Sequence, residues 1–224
     1  HLRTRPERPA EPVLGNSDHI INRNALLAWE GYPSAPSRIA KSREKSSYFS
    51  AGVKISDWPS ADFIVGNPPF IGGKDIRERL GGDYAEALWK TYSHINPSAD
   101  YVMYWWDRAA DILTRRGSRL RPFRVVTTNS IVQVFQRRVV EQHIKAAQPI
   151  SIILAIPDHP WTKAGKDSAA VRIAMTIAEA GAHEGVLREV VREDRIDTDE
   201  PLVVFAEQKG LINADLTIGA DLTR

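Results

Sequence analysis

The sequence predicts an α/β fold: a mostly parallel sheet with antiparallel strands added at an edge. Three observations predict it. Apolar runs of strand character alternate with segments of helical spacing, which is the rhythm of βαβ units. The runs "ADFIVG", "FRVVTT" and "ISIILAIP" are almost continuously apolar, as in strands covered on both faces. The 224 residues are 42% apolar, enough for one domain with a true core and room for an appendage.

The elements follow in order. Residues 1–17 hold no apolar run and read as a disordered lead-in, with none of the pattern of a secretory signal. "DHIINRNALLAW", Asp18 to Trp29, opens as a short strand and turns polar. Gly31 to Ser60 is rich in Ser, Pro, Lys and Arg and reads as one long loop, a type of segment that often carries function. "ADFIVG", Ala61 to Gly66, is a buried strand, and "DYAEALWKTY", from Asp83, a short helix. In "ADYVMYWWDRAADILTRRG" the residues Val102, Trp105, Trp106, Ala109 and Leu113 recur at helical spacing, and Gly117 closes the helix. That spacing puts both tryptophans in the core. "FRVVTTN" is a strand, and "SIVQVFQRRVVEQHIKAA" a helix with Ser130 as its N-cap. Ile150 to Pro157 is a third buried strand. "SAAVRIAMTIAEA" and "GVLREVVRE" read as antiparallel additions at an edge, although the alanines of the first also suit a helix. The last stretch, from Glu207, is turn-rich and reads as a connector.

Composition excludes several chemistries. With no cysteine, the chain has no disulfide, no thiolate metal site and no Cys nucleophile. His94, His143 and His159 stand apart, without metal-ligand spacing. The net charge of +2 announces no nucleic acid by itself. Basic residues do gather locally, from Thr114 to Arg124 and from Gln136 to Arg138, where a solvated face is the plainer explanation. No apolar run approaches membrane-span length, mean hydropathy is −0.33, and the expected location is cytoplasmic.

The chemistry concentrates in "ADFIVGNPPFIGGKD". Ligands of open parallel sheets bind beyond the carboxyl ends of the strands, which is where Asn67 to Phe70 fall. Each proline fixes φ and restricts the residue before it, so the loop is stiff. The Pro68 carbonyl can then aim outward beside the Asn67 side-chain oxygen. Two acceptors side by side suit an NH₂ group, and Phe70 offers a face for a heterocycle. An aromatic amine is a poor nucleophile; two hydrogen bonds from its hydrogens return electron density to nitrogen, an oxyanion hole with the sign reversed. Gly72 and Gly73 let backbone approach a nucleotide or serve as a hinge. Lys74 suits a phosphate or simply an exposed helix start. Trp161, after "IPDHP", suits a wall of the base pocket or a structural role. Asp158 and His159 read as loop-positioning, because a methylated amine can lose its proton to water.

The tetrapeptide with its flanks resembles the catalytic "[DNS]-P-P-[YFW]" motif of S-adenosylmethionine-dependent adenine N6 DNA methyltransferases, in particular the large bacterial type. "YVMYWWDRAADIL", "VVTTNSIVQVFQRRVVE", "ILAIPDHPW" and "GLINADLTIGADLT" resemble further stretches of that family, so the likeness runs from about Asp18 to the end. It implies a Rossmann-like class I methyltransferase fold, with a partial catalytic domain over 18–195 and, over 196–224, a connector toward a target-recognition domain. It also implies S-adenosylmethionine as cofactor, DNA as partner alongside other subunits or domains of a restriction or defence system, and no membrane. By the same likeness Asn67, Pro68, Pro69 and Phe70 are catalytic. Asn24, in "RNALLAW", matches a cofactor-binding position that is acidic in the family. Gly72, Gly73, Lys74 and Trp161 are candidates for substrate binding.

A second feature, beside Asn24, departs from the family. No G-x-G turn occurs among the 14 glycines, so the expectation is a chain that holds the catalytic loop but lacks the upstream cofactor turn. The rivals left open are methyl transfer to a glutamine amide, to cytosine N4 or to RNA, and a DNA-binding or assembly module without turnover. Cytosine C5 chemistry is excluded, since it needs a thiolate.

Overall fold

A computed structural model of the chain describes residues 20–29, 52–161, 171–196, 198 and 201–219. Strands β1 (Leu27–Trp29) and β2 (Val53–Ile55) form a small antiparallel sheet. The main sheet contains β3 (Ile64–Gly66), β4 (Pro122–Thr128), β5 (Ile150–Pro160), β6 (Arg172–Ala180), β7 (Gly185–Asp194) and β8 (Leu202–Gly210), in the order β3-β4-β6-β5-β7-β8. The helices are α1 (Ile76–Leu80), α2 (Gly82–Thr91), α3 (Val102–Thr114) and α4 (Val134–Ile144). Pairing directions make β3, β4, β5 and β7 run one way and β6 and β8 the other.

The expected α/β fold is found, with four of the six strands running one way and an antiparallel strand, β8, at one edge, but β7, expected as an antiparallel addition, pairs in parallel with β5. The other antiparallel strand is not at an edge. β6 lies between β4 and β5 and pairs along its length with both. Its apolar run suits that interior place, because Ile173, Ala174, Thr176 and Ala178 are all buried.

Helix α3 is the central support of the sheet. Trp106 is fully buried, donates its indole N–H to Thr176 Oγ1 at 3.2 Å and meets the Phe123 ring edge-on at 5.2 Å. Phe123, Val125 and Thr127 alternate inward along β4 toward this helix layer. The opposite face differs from the expectation of a sheet covered on both sides. Val65, Arg124, Ile177, Leu154 and Val186 stand directly opposite one another across five strands. Val65 is 77% exposed, Arg124 is exposed, and the other three are half-buried. Apolar content alone does not say that a face is covered.

Four local expectations are corrected. The strand in Asp18–Trp29 comes last rather than first: Asn24 Oδ1 accepts the amides of Leu26 (3.0 Å) and Leu27 (2.8 Å), a side-chain turn that delays the strand to Leu27. The expected loop of Gly31–Ser60 contains β2; residues 30–51 and the lead-in 1–17 lie outside the described residues. Ser130 is not a helix cap. A 3-10 turn at Asn129–Val132 intervenes, and α4 starts after Gln133. The turn-rich reading from Glu207 holds for 211–219 but not for 207–210, which complete β8.

One buried carboxylate ties the helix layer together. Asp107, fully buried on α3, accepts from His94 Nε2 at 2.9 Å, His143 Nε2 at 2.8 Å and Gln142 Nε2 at 2.9 Å. Burial alone would push its carboxyl up, but the hydrogen bonds from His143 and His94 outweigh burial and hold it below the ordinary value. The same bond to Asp107 raises His94 above 6.5 against partial burial. The depressed Asp107 stabilises the fold above the ordinary carboxylate value and loses that effect as pH falls through its folded pKa. The raised His94 stabilises fully below 6.5 and loses the effect as pH rises through its folded pKa. Calorimetric melting temperature should therefore peak between the ordinary Asp and His values and decline on both sides. Asp107→Ala should remove both limbs and lower stability by about 3 kcal/mol.

Candidate active site

The carboxyl ends of β3, β4 and β5 open on the same edge of the sheet, at Asn67, Asn129 and Trp161. Beside β3 lies a cleft of about 360 Å³ lined by Trp58, Ile64, Val65, Gly66, Asn67, Pro68, Pro69, Trp105 and Val125. Its volume is at the lower end of small-molecule pockets, roughly 300–1,000 Å³. Asn67 and Pro69 are exposed and Pro68 is buried between them. No described residue hydrogen-bonds to the Asn67 side chain or to the Pro68 carbonyl, so both acceptors are free.

The segment after the prolines is held from behind by the turn that leads into α3. The Tyr101 amide donates to the Ile71 carbonyl at 2.8 Å, and the Gly73 amide donates to Asp100 Oδ1 at 3.1 Å. Asp100 Oδ2 accepts from Ser130 Oγ at 2.5 Å and lies 3.3 Å from Thr128 Oγ1. Gly73 lies so close to this turn that a Cβ there would sit 2.3 Å from the Ser98 carbonyl oxygen. Its missing side chain is used against the protein's own backbone. Gly72, by contrast, would place a Cβ 3.4 Å from Asp75 Oδ2, an ordinary contact.

The remaining expected site residues separate into those near the cleft and those apart from it. Phe70 is half-buried and packs on the core; the aromatic walls of the cleft are Trp58 and Trp105 instead. Trp58 is held by an indole bond to the Ala25 carbonyl (2.6 Å), and Trp105 meets Tyr101 edge-on at 4.6 Å. Helical spacing had put Trp105 in the core, yet it is only half-buried and turned to the cleft, whereas a tryptophan within a Ser/Pro loop was the available sign for Trp58. Lys74 is exposed at the start of the turn into α1. Trp161 is 40% exposed, closes the β5–β6 connection through its amide to Val171 O (3.0 Å), and is not a wall of the cleft. Asn24 uses its oxygen on Leu26 and Leu27 and its amide on Tyr84 Oη at 3.1 Å. Tyr84 in turn meets Tyr101 Oη at 2.6 Å, and burial raises both phenols above their ordinary value, which keeps them neutral.

Farther along the edge, Asp158 accepts from Asn129 Nδ2 (3.1 Å) and from Arg172 Nε (2.6 Å), while Arg172 Nη2 reaches Glu193 Oε1 at 2.7 Å. His159 stacks on Phe205 at 5.9 Å. Asp158 and His159 thus have positioning partners, as their reading as loop-positioning residues anticipates. The basic cluster of Thr114–Arg124 runs into the opposite end of β4, whose first residue, Pro122, is about 20 Å from Thr128 at ~3.3 Å per residue. There Arg119 pairs with Asp62 at 3.2 Å. No group of three metal-ligating side chains occurs among the described residues. No described helix is long and apolar enough to cross a membrane.

A family model described as MmeI, DNA-methyltransferase domain, matches residues 7–187, most of the chain. The chain belongs to this family. Among solved structures it is similar to the type IIL restriction-modification enzyme MmeI in complex with DNA, at 24% identity and a TM-score of 0.52 over 71% of this chain. That likeness is one of fold, and the chain spans about 20% of the length of that structure. A second similar structure is a modification subunit of a proposed type I restriction enzyme from Vibrio vulnificus YJ016, at 13% identity and a TM-score of 0.44, covering 69% of this chain and 37% of that one. No curated protein matches the chain. The methyltransferase fold implied by Asn67–Phe70 and its flanks is thus the fold of the molecule.

The two glycines after the diproline should respond differently to a methyl group. Gly73→Ala should lower stability by about 1–3 kcal/mol, because backbone must move to admit the Cβ. Gly72→Ala should stay within about 0.5 kcal/mol of wild type. Denaturant unfolding of both variants checks this.

Proposed function

We propose that this domain transfers a methyl group from S-adenosylmethionine to the N6 amine of an adenine in DNA, as the modification activity of a restriction-modification enzyme in the cytoplasm. The observation that carries the reading is the pair of free acceptors, Asn67 Oδ1 and the Pro68 carbonyl, on two residues that line an aromatic-walled cleft. Asn24, Tyr84, Asp100, Asn129 and Asp158, by contrast, each have a partner inside the protein. Unsatisfied acceptors on a stiff loop at a cleft are the feature a ligand NH₂ group would complete.

In this reading the target adenine leaves the duplex stack, since its N6 is otherwise out of reach. Asn67 Oδ1 and Pro68 O accept one amine hydrogen each, and nitrogen gains electron density. Pro69 keeps the corner stiff, and Phe70 supports it from the core side or stacks on the base. The cleft fits the cofactor in character: Trp58 and Trp105 offer flat faces beside the acceptors. When bound, S-adenosylmethionine supplies an electrophilic methyl. Transfer would form the N–C bond as the cofactor's C–S bond breaks, with the amine proton leaving to water. No covalent enzyme intermediate is needed. In this reading Lys74 and the Gly72 backbone meet a phosphate of the DNA strand, Gly73 serves the loop through its bond to Asp100, and Trp161 contacts the substrate from farther along the edge.

A second reading is favoured by one observation. Asn24 has its polar atoms engaged by Leu26, Leu27 and Tyr84, so it presents no free acceptor to a cofactor. That suits a methyltransferase-fold module which binds DNA or assembles with partners without turnover. Calorimetry with S-adenosylmethionine separates the two: saturable binding by the chain supports the enzyme, and absence of binding supports the module. Labelled-methyl assays on adenine, cytosine, RNA and a glutamine-containing peptide identify the accepting amine.

Asn67→Ala should reduce methylation of DNA by the full-length protein by about 10²–10³-fold, the scale of losing one preorganised polar partner of the transition state. Its melting temperature should be unchanged, because the side chain makes no internal bond. Wild-type turnover in this variant would rule out the amine clamp.

A further inference from the structure

We propose that Asp100 is the positioning residue of the diproline corner, holding the loop that carries Asn67 and Pro68 in register with the end of β4. Its consequence for turnover rests on the methyltransferase reading above; its structural role does not.

The two oxygens of Asp100 are divided between two chain segments. Oδ1 takes the Gly73 amide at 3.1 Å, on the loop leaving β3. Oδ2 takes the Ser130 hydroxyl at 2.5 Å and stands 3.3 Å from the Thr128 hydroxyl, both at the end of β4. The two hydroxyls also lie 2.5 Å from each other, so they form one polar unit around that oxygen. Hydrogen bonds to a carboxylate are stronger and shorter than those between neutral groups. β3 pairs with β4 only as far as Gly66↔Val125. Beyond that point the ladder no longer sets the spacing of the two segments, and a side chain that spans them does.

The clamp lies close in sequence to this anchor. Asn67 and Pro68 are joined to Ile71 and Gly73 through Pro69 and Phe70, and prolines transmit displacement because their φ is fixed. Ile71 is itself bonded to Tyr101, the residue after Asp100. A shift of the loop against Ser98–Tyr101 would therefore move both acceptors together. Asp100 is not a wall of the cleft, so it acts through the loop rather than on substrate.

The test compares Asp100→Ala and Asp100→Asn in the full-length protein by kinetics, melting temperature and hydrogen exchange. Asparagine keeps an oxygen for the Gly73 amide and gives its NH₂ to the Ser130 and Thr128 hydroxyls, which can accept. Asp100→Ala should lower kcat about 100-fold, the scale expected for a misplacement near 1 Å, with KM for DNA unchanged. Exchange should quicken at residues 71–75 and stay at wild-type rates in β4, β5 and β6. Asp100→Asn should recover most of the lost turnover. Wild-type kcat in Asp100→Ala, or a loss that Asn does not recover and that accompanies faster exchange throughout the sheet, would overturn the proposal. If the wild-type protein transfers no methyl group, the methyltransferase reading fails separately. Exchange then still decides: faster exchange confined to 71–75 in Asp100→Ala supports the positioning role, and unchanged exchange there overturns it.

Discussion

The site depends on one close backbone approach: the loop after the two prolines lies directly on the turn Ser98–Tyr101. Gly73 has no side chain to keep Ser98 away, and the Ile71 carbonyl meets the Tyr101 amide. A loop that leaves an edge strand has no ladder to define it. This one is defined instead by the turn that starts α3, the helix most deeply buried in the domain. The rigidity of the core is thereby passed to a surface loop with only a few bonds. Trp106, locked between Phe123 and Thr176, fixes α3 on the sheet; α3 fixes its own leading turn; that turn fixes the corner.

Satisfaction of polar groups separates support from candidate chemistry along the sheet edge. Asn24, Asp100, Asn129, Asp158 and Arg172 are all polar residues at or near the edge, and each is bonded to another part of the protein. Asn67 and the Pro68 carbonyl are not. A folded chain ordinarily pairs its confined polar groups internally or with water. Leaving two acceptors open on the stiffest part of the edge, beside two tryptophans, gives this corner a property that its neighbours lack. Arg172 shows the contrasting case: hydrogen bonds to Glu193 and Asp158 push its pKa higher still, and it ties three strand ends together. Those surface ion pairs contribute little stability singly, and their geometric effect is the larger one.

The helix layer has its own electrostatic centre, away from the cleft. Asp107 gathers His94 from beyond α2 and His143 from α4 onto α3. Because the acceptor is fully buried, each donor that reaches it is held firmly. The pH response of the fold and the ligand chemistry of the edge therefore reside in different groups. The half-exposed face running from Val65 to Val186 shows further that the described residues enclose the sheet on one side more completely than on the other.

The sequence by itself determined the strand–helix rhythm, the place of the diproline corner and the family, because each depends on local spacing or on a contiguous run. Asn-Pro-Pro-Phe is stiff whatever surrounds it, and Trp106 is apolar at helical spacing whatever it meets. Tertiary structure alone decided the rest, because the partners are distant in the chain. His94 and His143 look isolated until both reach Asp107. Ser130 looks like a cap until Asp100 takes its hydroxyl. Trp105 looks like core by spacing, yet the cleft beside β3 leaves it half-exposed, and Phe70 is turned partly inward where the motif suggested an open ring. Strand order was equally hidden: β6 reads as an addition after the parallel strands, but only pairing across the chain could place it between two of them. Local sequence encodes conformation over a few residues; which side chains converge depends on closing long loops, and that information is spread over the whole fold.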